Sequence, residues 1–355
     1  MRIDSLATVV VALAVALAAT ALLAYGWDRR RIAGRTVLVV AVLLTVIGTA
    51  ALQLNRLTET YPSWSSLVAG SNEDASPGGP DETGVPGGSG RPATAVVDGG
   101  GRLMRIRVAG AASGLAMPVT VYLPAAYSAP GGRSLRFPVI EALHGYPGTP
   151  ASWFRRLDVK RRLDDEIAAG RMAPTVVIFP YQTPDRMLDT ECTDLARGPR
   201  TETYLTVDVP RWARDHLWIR TDRDGWGLIG YSAGGFCAMN LALRHPDRYA
   251  AGASLSGYPD PGIKVGDGSE QTTNNVAWRL AHCPPPPVAL YLAWAADDAG
   301  ASRGSQRVVR LARPPLAVTA STLPRGGHSH AVWQRMEGPA FDWLSAHLAR
   351  PSPAP

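Results

Sequence analysis

The sequence predicts an α/β domain built on a mainly parallel sheet and preceded by two transmembrane helices. Three observations carry this. Short apolar runs alternate with helix-like segments from residue 137 onward, the pattern of strand and helix units in a parallel sheet. Two uncharged Ala/Val/Leu-rich runs, Leu6 to Ala24 and Thr36 to Leu54, open the chain; each is about the length a helix needs to cross ~30 Å of hydrocarbon. A Gly, Pro, Ser and acidic stretch then separates the two parts, with almost nothing to bury.

Adjacency of the two apolar runs, and the lack of a small-residue cleavage site before Arg29, favour a two-helix hairpin over residues 1–56 rather than a cleaved signal sequence and a buried helix. Asp28-Arg29-Arg30-Arg31 and Arg35 lie between the runs. Arginines in a short loop hold it in the cytoplasm, which puts the rest of the chain on the outer side of the cell membrane. Residues 57–94, with SNEDASPGGPDETGVPGGSGRP from Ser71 to Pro92, read as a flexible extracytoplasmic linker. Residues 95–350 form the expected folded domain, and residues 351–355 a disordered tail. The formal charge of +6 comes from scattered arginines, with Lys160 and Lys264 as the two lysines. No basic helix with interleaved aromatics accompanies it, which argues against nucleic-acid binding.

Within the domain, LMRIRV (103–108) and PVTVYLP (118–124) read as paired edge strands. FPVIEALHG, TVVIFP, WGLIG, AGASLSG and VALYLAWAA are the candidate buried strands. Helices are expected in RRLDDEIAAG, in 203–216 and in AGGFCAMNLALRH. Reactive residues in such a sheet collect at the carboxyl ends of the strands.

One strand end carries a motif. Gly230-Tyr231-Ser232-Ala233-Gly234 follows the apolar WGLI and precedes an Ala-rich helix, the context of a nucleophile elbow in an α/β-hydrolase domain. Serine needs a base near neutral pH, and histidine titrates in that range. In this fold the chain order is serine, acid, histidine, which leaves His282, His328, His330 and His347. His328 follows Arg325-Gly326-Gly327 after an apolar strand and is the expected base. His330 is the alternative, and His282 and His347 read as surface or helix-end residues. VALYLAWAA runs into Asp297-Asp298; one of them is the expected acid, and its neighbour is expected to cap a helix or stay solvated. For the oxyanion, one donor amide is expected from Ala233 and another from the His144-Gly145-Tyr146-Pro147-Gly148 loop. Tyr146 is the first choice there and Gly145 the second. His144 reads as structural, and Trp153 and Phe154 as candidates to line an acyl pocket.

VTVYLPAAY, DRDGWGLIGYSAGGFCAMNLALRHPDRYAAGASLSG and GGHSHAVW resemble the esterase family that includes S-formylglutathione hydrolases (esterase D) and the secreted mycolyltransferases of the antigen 85 complex. The resemblance covers most of residues 100–345. It implies an α/β-hydrolase fold and a Ser232, Asp298, His328 triad, since family members carry a His-Ser pair with an aromatic downstream and place the acid second in an acidic pair. It implies hydrolysis or transfer of an acyl group through an acyl-Ser232 intermediate, with no cofactor and no metal. The implied partner is an acyl ester, a lipid or cell-envelope glycolipid among the options. Tyr231, Ala233 and the aspartates differ from the leucine, methionine and glutamate typical of the mycolyltransferases, so the resemblance bears on ester chemistry more than on a mycolyl substrate. A catalytically silent scaffold or binding module and a serine peptidase are the competing readings. Of three cysteines, Cys237 is expected to pack as a small apolar residue, and Cys192 and Cys283, both in loops, are the candidates for a disulfide.

Overall fold

The computed structural model describes residues 3, 6–58, 100–185 and 187–354, and the chain divides into two units, 1–90 and 91–355. The first unit contains α1 (Leu6–Gly26) and α2 (Ile32–Thr58). Both helices leave most of their large apolar side chains exposed, among them Val11, Leu17 and Leu22 on α1 and Val37, Leu44 and Ile47 on α2. At the turn between them, the Arg29 guanidinium lies 4.1 Å from the Tyr25 ring centre and that of Arg35 lies 5.1 Å from Trp27. The tether at Ser71 to Pro92 and the domain start at Ala95 lie outside the described residues.

The second unit is built on an eight-stranded sheet. Its strands are β1 (Arg102–Ala109), β2 (Ala116–Leu123), β4 (Val139–Leu143), β5 (Val176–Pro180), β6 (Trp226–Tyr231), β7 (Ala251–Leu255), β8 (Ala289–Ala295) and β9 (Ala317–Leu323), in the order β1-β2-β5-β4-β6-β7-β8-β9. The pairs from β5 to β9 are parallel, and β1 and β2 are antiparallel. The edge pair and the buried parallel strands thus fall where the apolar runs predict them. A separate two-stranded ribbon joins β3 (Leu135–Arg136) to β10 (Ser352–Pro353).

That ribbon corrects the expectation of a disordered tail over 351–355. Ser352 and Pro353 pair with the backbone of Arg136 and Leu135, and the Ala354 amide donates to Ser134 O at 2.7 Å. Backbone pairing of this kind leaves no hydrophobic signature, so a short Pro- and Ser-rich end reads as unstructured even when a strand awaits it.

Alternating residues of the parallel strands feed two cores, as the pleat requires. Val139, Leu143, Leu228, Leu290 and Leu292 face one layer, with α5 (Ala233–Arg244), α6 (Val276–His282) and α7 (Ala299–Leu311). Ile140, Ala142, Ile229 and Ala253 face the other, with α3 (Val159–Ala168) and α8 (His330–His347). A further helix, α4 (Val209–His216), adds Val209 and Ala213 to the first core. The chain runs from β4 outward to β5 and then returns across to β6 on the other flank of β4. Loops leaving β4 and β6 therefore diverge at their carboxyl ends, where a parallel sheet of this type opens a crevice.

Candidate active site

At that crevice Leu143, the last residue of β4, pairs with Gly230 of β6. One residue beyond β6, Ser232 adopts φ 55° and ψ −121°, and α5 begins immediately after it. A non-glycine residue so placed carries strain of order 1–3 kcal/mol. Local bonds hold it there: the Ser232 amide donates to Leu255 O at 2.9 Å, and its carbonyl accepts from the amides of Gly235 and Phe236 at 2.9 and 3.1 Å. The turn is so tight that a Cβ on Gly230 would lie 2.0 Å from Gly234 O, and one on Gly234 would lie 2.2 Å from Leu143 O. Only glycine fits at either position.

The structure brings Ser232, His328 and Asp298 together from the ends of three strands. Ser232 Oγ is 2.8 Å from His328 Nε2, and His328 Nδ1 is 2.6 Å from Asp298 Oδ2. Since a carboxylate can only accept, Nδ1 carries the proton, and Nε2 is left to accept from the serine hydroxyl. Asp298 has two tasks, because its Oδ1 also accepts from the Ala301 amide at 3.3 Å and caps α7.

The helix-capping role expected for the neighbouring aspartate therefore falls to the residue that holds the histidine. Asp297 instead accepts from the amides of Gly326 and Gly327 at 3.1 and 2.9 Å. The bonds from Gly327 and Gly326 keep its carboxyl below the usual range. It ties down the loop that presents His328. Ser329 adds a further tie, its hydroxyl donating to Gly326 O at 2.9 Å. His330 sits at the start of α8, edge-on to Trp333 with ring centres 5.0 Å apart, and takes no place in the Ser232–His328–Asp298 chain. His282 and His347 each lie against a carbonyl one turn earlier in their helices.

The loop after β4 stands beside the elbow, since a Cβ on Gly145 would be 3.2 Å from Ser232 Cβ. Tyr146 follows in a turn closed by a cis bond to Pro147, and its hydroxyl donates to Met187 O at 2.9 Å. Ala233 is the first residue of α5, so its amide has no acceptor within the helix. Buried His144 has Nδ1 2.9 Å from Gly145 O, and its Nε2 accepts from the Gln182 amide at 3.4 Å. It holds the loop to the end of β5.

Trp153 does not line a pocket. It is fully buried beneath the elbow, its ring 5.0 Å from Tyr231 and 6.1 Å from Phe179, and Phe154 packs on Phe179 at 4.7 Å. Trp153 belongs to the core, where a large aromatic lies more often than in a pocket wall, and Phe154 is partly buried against it. A groove of about 400 Å³ is lined by His328 and Asp298, by Tyr258, Pro259 and Asp260, and by Arg303 and Arg307 of α7. Tyr258 stacks on Phe236 of α5, and its hydroxyl donates to buried Glu191. Burial and the nearby Asp189 push that carboxyl well above its ordinary range. Neither Tyr258 nor the arginines were marked by any motif; only the arrival of α7 beside the histidine loop brings them to the site.

Residues 110–349 match the model of the family described as Putative esterase. An uncharacterized protein of Corynebacterium glutamicum is 26% identical over 241 residues, 63% of this chain and 56% of that protein. The MPT51 antigen of Mycobacterium leprae is 37% identical over 60 residues, 17% of this chain and 19% of the antigen. Diacylglycerol acyltransferase/mycolyltransferase Ag85A of the same organism is 34% identical over 65 residues, 18% and 19% of the two chains. The chain thus spans little more than half the length of the first relative and about a fifth of the others. Among solved structures, a ferulic acid esterase superposes with a TM-score of 0.60 at 18% identity, covering 70% of this chain and 99% of that one. An S-formylglutathione hydrolase from Agrobacterium tumefaciens gives 0.60 at 16% identity over 72% and 99%. These likenesses show the α/β-hydrolase fold.

The cysteines depart from expectation. Cys192 is joined to Cys237, not to Cys283, which is free and half-buried. Cys237 lies on the second turn of α5, and Cys192, well beyond the end of β5 in the chain, reaches that helix to meet it. Gln182 Nε2 approaches Cys192 Sγ at 3.4 Å and Cys237 Sγ at 3.7 Å. A pairing set by the path of a long loop has no sequence signature, and composition around Cys237 is that of any buried helix. Peptide mapping of the non-reduced chain is expected to recover Cys192 cross-linked to Cys237, with Cys283 alone alkylated. A Cys192–Cys283 peptide would contradict the pairing.

Proposed function

Because this chain belongs to the Putative esterase family, we propose that it is a carboxylic ester hydrolase or acyltransferase working through an acyl-Ser232 intermediate. The single observation that supports the reading best is the continuous hydrogen-bond chain from Ser232 Oγ through His328 to Asp298, at a strained elbow.

In the proposed reaction, Ser232 Oγ attacks the ester carbonyl carbon while its proton passes to His328 Nε2. The negative charge moves to the carbonyl oxygen, where the amides of Ala233 and Tyr146 are assigned to receive it; each such donor is worth about 2.7–4 kcal/mol of transition-state stabilisation. As the intermediate collapses, the bond to the alcohol oxygen breaks and His328 returns the proton to that oxygen. The acyl group is then bound to Ser232. Water, or the hydroxyl of an acceptor, gives its proton to His328 and attacks the acyl carbon, releasing acid or new ester and restoring the serine. Asp298 holds the tautomer and stabilises the imidazolium formed in each half. A silent scaffold would have no use for a strained serine turn with base and acid in register.

The two apolar helices support a membrane hairpin with the hydrolase unit on the outer side. Tyr25 and Trp27 at the turn suit a membrane interface, the arginines beside them suit the cytoplasmic face, and a Cys192–Cys237 disulfide fits an oxidising compartment. An acyl lipid or envelope glycolipid is within reach of an enzyme so anchored, in keeping with the acyltransferase named among its relatives.

Turnover of a short p-nitrophenyl ester by the full chain tests the chemistry. Ser232→Ala and His328→Ala are expected to lose several orders of magnitude, and Asp298→Asn on the order of 10⁴-fold. Asp297→Asn should lose much less, since it removes one clamp on the loop and leaves the acid in place. Near-normal rates in Ser232→Ala, or a severe defect confined to Asp297→Asn, would contradict the assignment.

Sidedness is tested by adding protease to intact cells carrying the full chain. Release of the hydrolase unit by cleavage within Ser71 to Pro92 is expected. Protection until lysis would reverse the proposed orientation.

A further inference from the structure

The groove beside the triad lies on a defined side of the reaction. His328 returns its proton to the alcohol oxygen, so the alcohol half of the ester must leave past that imidazole, and an acceptor must enter the same way. His328 and Asp298 line the groove, whereas Ser232 and the two residues assigned to the carbonyl oxygen, Ala233 and Tyr146, do not, so the groove begins at the imidazole and leads away from the acyl carbon. This space is therefore placed to hold the alcohol rather than the acyl chain.

Its charge is unusual for a site next to a carboxylate. Arg303 and Arg307 lie one turn apart on α7, the spacing at which side chains share a helix face. Both are exposed, both line the groove, and among the described residues neither guanidinium has an ion-pair partner. Two carboxylates line the same space. Asp298 is committed to His328 and the α7 cap, which leaves Asp260 as the remaining negative charge among the lining residues. Two cations thus face one free anion. Gly300, Ala301 and Gly304 also line the groove and add little bulk. Guanidinium forks match oxyanions through paired N–H groups, and two forks one turn apart suit an anion offering at least three oxygens.

We propose that Arg303 and Arg307 bind a phosphate group carried by the alcohol half of the ester, or by the acceptor alcohol, so that the enzyme selects phosphorylated alcohols. The proposal deepens the acyl-serine reading and rests on it. A phosphate brings the negative charge the arginines lack and needs no change in the triad.

The test is the ratio of kcat/KM for paired esters hydrolysed by the full chain in neutral detergent. The soluble pair is 1-butyryl-glycerol 3-phosphate against 1-butyryl-glycerol; the lipid pair is 1-oleoyl-glycerol 3-phosphate against 1-oleoyl-glycerol in neutral micelles. Each protein serves as its own reference, so partial loss of folded protein cancels in the ratio. The parent is expected to favour the phosphorylated ester in at least one pair. Arg303→Gln and Arg307→Gln should each lower that ratio by roughly three- to tenfold, as exposed charge-assisted contacts do, and added salt should lower it further. A preference confined to the soluble pair identifies a small phosphorylated alcohol, and one confined to the micellar pair a lipid phosphate. A parent ratio near one in both pairs, or a ratio that neither variant moves, overturns the proposal. Failure of the parent to turn over even the neutral esters and p-nitrophenyl butyrate would remove the hydrolase reading itself, and the proposal with it.

Discussion

The close approach of α5 to the end of β4 is the constraint on which the rest of the site depends. Gly234 passes Leu143 O at a distance that leaves no room for a side chain, and Gly230 passes Gly234 in the same way. That contact forces Ser232 into a positive φ and turns its side chain out of the sheet, at the cost of strain that three backbone hydrogen bonds offset. It also starts α5 at Ala233, which leaves an uncommitted amide beside the serine. One packing contact therefore sets the position of the serine hydroxyl, the strain at that residue and one of the two assigned oxyanion donors.

The other partners come from later strands, and their adjacency in sequence conceals a division of labour. Asp297 and Asp298 follow β8 together, yet one holds the backbone of the histidine loop and the other holds the imidazole. The Ala296 amide donates to Leu323 O, so the ends of β8 and β9 are joined just before these residues diverge. Rigid strand ends with short ties suit a task in which an error of an ångström matters. Trp333 completes the support, stacked on Tyr231 at 4.7 Å and edge-on to His328 at 5.0 Å.

Much of this is legible in the sequence because it depends on local constraint. Glycines flanking Ser232 and a run of buried strands leave few alternatives for the elbow, and the order of strand ends places acid before histidine. What escapes is what depends on the path of the chain through space. Cys192 meets Cys237 because the loop that carries Cys192 reaches α5, and nothing near either cysteine announces it. Trp153 reads as a pocket aromatic because it follows the loop after β4, but the helical turn at Ala151–Arg155 points it inward against Tyr231. The Ser352–Pro353 pairing is invisible to any argument from hydrophobicity. Arg303 and Arg307 look like an ordinary solvated helix face until α7 is seen beside His328.

The central claim is that Ser232 is the atom-level nucleophile and that His328 activates it. Its most direct test is to treat the full chain with a fluorophosphonate, digest it and locate the adduct by mass spectrometry. The account predicts a single phosphonylated residue, Ser232, with labelling slowed by orders of magnitude in His328→Ala and absent in Ser232→Ala. An adduct on another serine, or ester turnover that continues in protein carrying no adduct after exhaustive treatment, would contradict it.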